Sequence, residues 1–359
     1  MAEMTQWTIV RKPAQPAWVA SFFITLFAIL LSLAASSVLL VIAGVDVWEA
    51  FDALLLGAFG DMEGVAGSLV KAIPLVFAGL SAGLAFRARI WNVGQEGQIY
   101  AGSMLAYWLS TSVSLPSVLM IPLILAGGFA GGALLGATSG VLKSRFRVDE
   151  IVSTVMLNYV IVLFLSYLLS SKIWMEPGQY YMQTPQVVEA SRLPSLFSGV
   201  NLHMGLVVAI LALIAVQILL SRGTLGYAIR AFGWNPEAAR FRGIDPKYMF
   251  VVVMVLSGGL AGMAGVMQTF GVEFRLTTTA LQGLGATGII VGVIAGMRPL
   301  GIGIAAVLFG SLAQGALFME VMAGVSSAVV SAMQAIVLIV FISSSAFSRY
   351  RLMRVKSNV

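Results

Sequence analysis

From Trp18 to Phe347 the chain returns repeatedly to apolar runs of about twenty residues, the length a helix needs to cross the hydrocarbon core of a bilayer. Little else constrains a fold so tightly. Inside lipid every backbone N–H and C=O must find its partner within the protein, so such runs become helices. An outer-membrane barrel would instead show short segments of alternating polarity, and these are absent. Only 10% of the residues are charged and 59% are hydrophobic, whereas ordinary soluble domains carry about 25% charged residues. The expected fold is an all-α polytopic membrane protein.

Ten spans are predicted, at roughly 18–43, 67–86, 93–112, 117–142, 151–170, 202–221, 248–270, 281–297, 300–319 and 327–347. The eighth, which includes "GLGATGIIVGVIAG", is rich in glycine and barely long enough to cross. The first is read as a retained helix, because a cleaved signal would have a shorter apolar core. This frame makes residues 1–17 an N-terminal tail, 18–347 the membrane domain and 348–359 a basic C-terminal tail. The 21 Lys and Arg residues test the orientation. With the N-terminus inside, seventeen lie on the inner side, and only Lys71, Lys172, Arg192 and Arg275 lie outside. The positive-inside rule therefore puts both tails in the cytosol. The net charge of +6 is accounted for by this sidedness and gives no reason to invoke nucleic acid. With 0 Cys and 1 His, the chain offers neither a disulfide framework nor a metal-ligand set.

Spans two to five and seven to ten form two blocks of four that run in opposite directions, since the connection between spans five and six lies outside. "SAGLAFRARI" at the end of span two is faintly echoed by "SGGLAGMAGV" in span seven. Inverted repeats of this kind place solute sites at their interface, beside broken helices. Of the outer connections, 44–66 is acidic. The longer 171–201 is expected to pack over the outer mouth or to receive a partner.

Polar chemistry concentrates in two places. The first is "RIWNVGQEGQIYAG", residues 89–102, where Asn92, Gln95, Glu96 and Gln98 interrupt an apolar context. A carboxylate inside a bilayer costs about 3 kcal/mol on insertion scales, so something must offset it. Glu96 either pairs with Arg87 or Arg89, or caps the N–H groups of a broken helix, or joins Asn92 and Gln98 in lining a translocation path. Asn158 in span five is a further path candidate, with bonding between helices as its alternative. The second place is the inner loop 222–247. It reads as a short helix from Gly226 to Phe232, a break at Gly233, and a second helix capped by Asn235, with Pro236 at its first position and Gly243 as its stop. The small residues Ala238 and Ala239 suit a helix that docks closely into another protein. No catalytic constellation is present. The absence of a Gly-Lys dipeptide excludes a Walker A lysine, so this chain does not cradle ATP itself.

Three motifs carry a resemblance. "GYAIRAFGWNPEAARFRGID" resembles the coupling loop of ABC importer permeases of the branched-chain amino acid, simple sugar and nucleoside family, through Arg230, Ala231, Gly233, Asn235, Ala238, Ala239, Gly243 and Ile244. "NVGQEGQ" resembles the Asn-Ile-Gly-x-Glu-Gly-Gln motif of the same family, with Val93 for Ile, and "VDEIVSTVMLNYV" resembles its nucleoside subgroup. The resemblance covers nearly the whole chain. It implies the type II importer core in a bacterial cytoplasmic membrane; the substrate path through Asn92, Glu96, Gln98 and Asn158 rests on the residues themselves, with their structural roles as the alternative. It also implies a separate ATPase, hydrolysing ATP-Mg and docked through Arg230, Gly233, Asn235, Ala238, Ala239 and Gly243. An extracytoplasmic solute-binding protein and a second, different permease complete the expected complex. The implied activity is inward transport of a nucleoside or related sugar-like solute by ATPase-driven alternating access. The alternative from another class is an ion- or proton-coupled secondary transporter using Glu96. One departure bears on specificity: Ala286 and Thr287 stand where similar permeases often carry a Phe/Tyr-Asp pair.

Overall fold

The computed structural model describes residues 5–11, 18–178, 180–197 and 199–356. In chain order the elements are β1 (Thr5–Arg11), α1 (Trp18–Ile42), α2 (Val47–Phe59), α3 (Met62–Arg87), α4 (Gln95–Ser112), α5 (Ser117–Phe146) and α6 (Glu150–Ser170). After an outer hairpin of β2 (Ser195–Phe197) and β3 (Val200–His203) come α7 (Gly205–Arg222), α8 (Thr224–Trp234), α9 (Pro236–Phe241), α10 (Pro246–Gln268), a π-helical turn (Thr269–Glu273), α11 (Leu284–Ile294), α12 (Pro299–Met322), α13 (Ser327–Arg349) and β4 (Tyr350–Lys356). A helix stands at each of the ten predicted positions. Among the described residues, six helices are long and apolar enough to cross a membrane: α3, α5, α6, α7, α10 with its π turn, and α12. Two of the others differ in kind. The N-terminal turn of α4 is polar. With 11 residues, α11 is about 16 Å long, roughly half the hydrocarbon thickness.

The chain forms two compact units, Met1–Gly57 with Gly315–Val359, and Ala58–Gln314. In the first, Leu40 of α1, Ala50 and Ala53 of α2, Ala316 and Met319 of α12, and Val330 and Met333 of α13 share a core. The acidic outer connection is therefore not an open loop. Its small residues recur at helical spacing and turn α2 inward, so a Cβ on Gly57 would lie 2.3 Å from Phe318. Of the two predicted tails, residues 1–4, 12–17 and 357–359 lie outside the described residues. Residues 348–349 end α13, and the rest pair as an antiparallel ladder, from Thr5 opposite Lys356 to Arg11 opposite Tyr350.

In the second unit α3 and α10 are the buried central helices, while α6 and α7 keep mostly exposed apolar surfaces suited to lipid. Aspartates start three of the helices. Asp61, Asp149 and Asp245 accept backbone N–H bonds at the heads of α3, α6 and α10. Glycine sets the packing. On α5, Gly128, Gly132, Gly136 and Gly140 recur every four residues; the first three face Gly258 and Gly262 of α10, and Gly140 faces Val251 and Met254. A Cβ on Gly132 would lie 2.1 Å from the Gly258 carbonyl oxygen, and one on Gly262 would lie 2.1 Å from that of Gly128. The two backbones touch directly, as small residues at four-residue spacing allow.

The connection after α6, expected on the outer side, is strapped onto the segment that follows α10. Thr184 N donates to Leu276 O (3.1 Å), Val187 N to Phe274 O (2.9 Å) and Leu193 N to Phe270 O (3.0 Å). Arg275 and Glu176 form an ion pair beside them. The expected packing over the outer end thus lands on the chain leading into α11.

Candidate functional site

The motif 89–102 folds as a helix start that borrows its caps from neighbours. Residues 90–94 are not helical, and the N-cap of α4 is Gly94, which has no side chain to offer. The orphan N–H groups of the first turn need partners. Asn158 of α6 supplies one: its Oδ1 accepts from Gly97 N (2.8 Å), and its Nδ2 donates to Val93 O (3.1 Å). Bonding between helices, the second of the two readings for Asn158, is thus observed. Asn92 Oδ1 accepts from Gly94 N (3.1 Å).

Behind this turn lies a closed polar network. Asn92 Nδ2 donates to Gln98 Oε1 (2.9 Å) and to Ser257 Oγ (2.8 Å), and Gln98 Nε2 donates back to Asn92 Oδ1 (3.2 Å). Asn92 is 0% and Gln98 1% exposed. Ser257 Oγ also donates to Ser81 O (3.0 Å), and the two serine hydroxyls lie 3.0 Å apart. The Gln95 amide, oriented by its surroundings, donates to Ala78 O (3.2 Å) and Gly285 O (3.3 Å) and accepts from Ser81 Oγ and Ala82 N. Buried amides so fully matched hold α3, α4, α10 and α11 in one arrangement.

Glu96 points the other way and is half-buried. It pairs with neither Arg87 nor Arg89; among the described residues the ion pairs are Lys143–Glu150 and Arg275–Glu176. Its Oε1 instead accepts from Gly283 N (3.2 Å), at the left-handed N-cap of α11. The first turns of α4 and α11 abut here, since a Cβ on Gly285 would lie 2.7 Å from Glu96 N. One turn further along α4, Tyr100 Oη donates to Thr278 O (2.6 Å). Two helix N-termini, each carrying roughly half a positive charge, therefore share one carboxylate. That offsets the burial of Glu96 without a cation.

The inner loop departs from expectation in one respect. The break is at Asn235, not Gly233: α8 runs through Gly233 to Trp234. Gly233 is needed for contact, since a Cβ there would lie 2.2 Å from Arg87 O at the end of α3. Asn235 caps α9 as expected, accepting from Glu237 N (3.0 Å) and Ala238 N (3.1 Å), and Gly243 ends it at φ +81°. Ala239, at 3% exposure, also turns into the protein. Gly233 and Ala239 seat the helix pair on its own chain, while Ala238 stays exposed. What they leave outside is aromatic, with Trp234 83% and Phe241 94% exposed.

Comparison with known proteins now decides the class. The family model described as branched-chain amino acid transport system / permease component matches residues 64–342. The chain belongs to that permease family. It is a multi-pass membrane protein and a transport permease subunit. The guanosine ABC transporter permease protein NupP of Bacillus subtilis (strain 168) is 33% identical over 339 residues, covering 93% of this chain and 96% of that protein. The glucose ABC transporter permease protein TsgB13 of Haloferax volcanii is 30% identical over 346 residues, covering 94% and 90%. The nucleoside ABC transporter permease protein NupB of Lactococcus lactis subsp. cremoris is 30% identical over 302 residues, covering 82% and 83%. No solved structure matches the permease.

Sequence reasoning passed over several residues that build this site. Gln95 was visible in the motif, but its four-way bonding depends on α3 and α11. Tyr100 lies one helical turn beyond Glu96, and that spacing was the available signal. Ser81 and Ser257 open the two echoing stretches "SAGL" and "SGGL", and they meet in the structure.

Proposed function

We propose that the permease carries a neutral nucleoside or related sugar-like solute inward across a cytoplasmic membrane, as one subunit of an ATP-driven importer. The carrying observation is the single carboxylate of Glu96 between two helix N-termini. Unoccupied, those termini would attract an anion, as half-helix N-termini do in transporters. With Glu96 there, a phosphate or carboxylate on the solute meets repulsion, while hydroxyls and ring nitrogens can still hydrogen-bond. The names of the relatives, a guanosine, a glucose and a nucleoside permease, agree with a neutral polyhydroxylated solute. Glu96 and Asn158, both half-buried, face the path in this reading, and Asn92 and Gln98 support them from behind. The test is uptake of radiolabelled guanosine by cells expressing the full transporter. Unlabelled nucleosides should compete, and guanosine monophosphate in hundredfold excess should not. Equal competition by the nucleotide would remove the role given to Glu96. Guanosine uptake that survives loss of the partner ATPase would favour ion-coupled transport.

The partner ATPase, with its ATP-Mg, docks from the cytosol on α8–α9. A binding protein delivers solute outside, and a second permease completes the path. The charge asymmetry supports the cytosolic placement of both tails, and the ladder between β1 and β4 supports their lying on one side. Exposed aromatic anchors dominate protein interfaces, where removing one costs about 2 kcal/mol or more. Trp234→Ala and Phe241→Ala should therefore each weaken co-purification of the ATPase at least tenfold, with the permease still inserted and monodisperse. Full retention of the ATPase by the double variant would place the docking surface elsewhere.

A further inference from the structure

We infer that Arg87 is a positioning residue that links the inner helix pair α8–α9 to the half-length helix α11. The inference rests on the docking reading given above. Two contacts converge on the last residue of α3. Its carbonyl oxygen is the atom against which Gly233 of α8 is seated, at 2.2 Å from where a Cβ would stand. Its guanidinium Nε donates to Met297 O (2.9 Å), three residues past the end of α11.

The far side of this link is under conformational tension. Met297 is not glycine, yet it sits at φ +61°, in the left-handed region that side chains avoid. It is held there by its N–H to Gly292 O (2.9 Å) and by Arg87 on its carbonyl. The segment is thus over-determined, as strained backbone must be to persist. At its other end α11 is held by Glu96 and, through Thr278, by Tyr100. A displacement of α8 must move the Arg87 backbone, because Gly233 leaves no gap to absorb it. The guanidinium then pulls on the carbonyl that ends α11. α11 is short, follows the left-handed Gly283 and packs on α3 through Gly288 and Gly292, so it can shift as one piece. Beside the direct packing of α11 on α3, the Arg87 side chain thus ties the inner loop to the far end of α11.

Contact alone does not establish coupling, which needs a measurement on both ends. The permease has 0 Cys, so Ala286→Cys, exposed on the first turn of α11, is a single reporter. The complex with its partner ATPase is reconstituted in vesicles, and maleimide labelling at 286 is timed with and without ATP-Mg. With Arg87 present, nucleotide should change the labelling rate severalfold. With Arg87→Met the change should vanish while ATP hydrolysis continues, and solute moved per ATP should fall at least tenfold. Arg87→Lys, which can still donate to Met297 O, should restore most of both. An equal nucleotide response in Arg87→Met would overturn the inference. If Arg87→Met fails to assemble, Arg87→Lys with Met297→Gly, which relaxes the strained carbonyl, should blunt the response, and an undiminished response there overturns it too. No response even with Arg87 intact would overturn the docking reading itself, and the link with it.

Discussion

Replacing Gly262 with leucine is expected to prevent the permease from accumulating as a folded, monodisperse species. On one side that position faces the Gly128 carbonyl oxygen at 2.1 Å and the backbone nitrogen of Gly132 at 3.0 Å, and neither is a flexible side-chain end. On the other, Gly102 of α4 is pressed onto Gly262 itself, with a Cβ there only 2.4 Å from its Cα. A larger side chain must therefore push three helices apart at once. Overpacking a well-filled core usually costs 1–3 kcal/mol; here two backbones must separate, so the loss should be about 3 kcal/mol or more. Gly262→Ala should be intermediate. Ala126→Leu, on the exposed face of the same α5, should behave as the unaltered protein. The measurement is fluorescence-detected size exclusion with thermal challenge in detergent. A Gly262→Leu variant as stable as Ala126→Leu would show that the α5–α10 contact is looser than described.

The second large effect is expected at Glu96. Glu96→Lys places a cation between two helix N-termini that already carry partial positive charge. Each such interaction is worth 0.3–1 kcal/mol when exposed and up to about 2 kcal/mol when partly buried, and the substitution reverses two of them. Uptake of the transported solute should be abolished. Glu96→Gln keeps an acceptor for Gly283 N and should preserve assembly. Losing the charge should lower uptake roughly tenfold, or about 1.4 kcal/mol, and should relax discrimination against phosphorylated solutes. Wild-type uptake by Glu96→Lys would show that the carboxylate has no part in transport.

The legible and illegible parts of this protein divide along a physical line. Local chemistry was readable: the apolar runs of the long helices, the Asn235 cap with Pro236 behind it, and the stop at Gly243 depend on near neighbours in the chain. The helix α2 was missed because its 13 residues are too few to span a bilayer and its apolar face, with Phe51 and Leu54, is interrupted by Glu49 and Asp52. Partner identity was also hidden. Glu96 had three candidate partners on sequence grounds, and choosing Gly283 required the fold to bring together residues 187 positions apart. Gly233 looked like a break because glycine often is one. Only the nearness of Arg87 shows that it was kept for lack of a side chain.

The ladder joining Thr5–Arg11 to Tyr350–Lys356 has a consequence for biogenesis. Its first strand leaves the ribosome hundreds of residues before its partner. At about 5–20 residues per second, the wait for the intervening chain is tens of seconds. Throughout that time β1 presents an unsatisfied edge, the feature that invites aberrant pairing and proteolysis. Pairing with β4 ends that exposure only when translation has passed Lys356. A prematurely terminated chain therefore keeps an open edge at its N-terminus, a mark by which quality control could distinguish it from the finished permease.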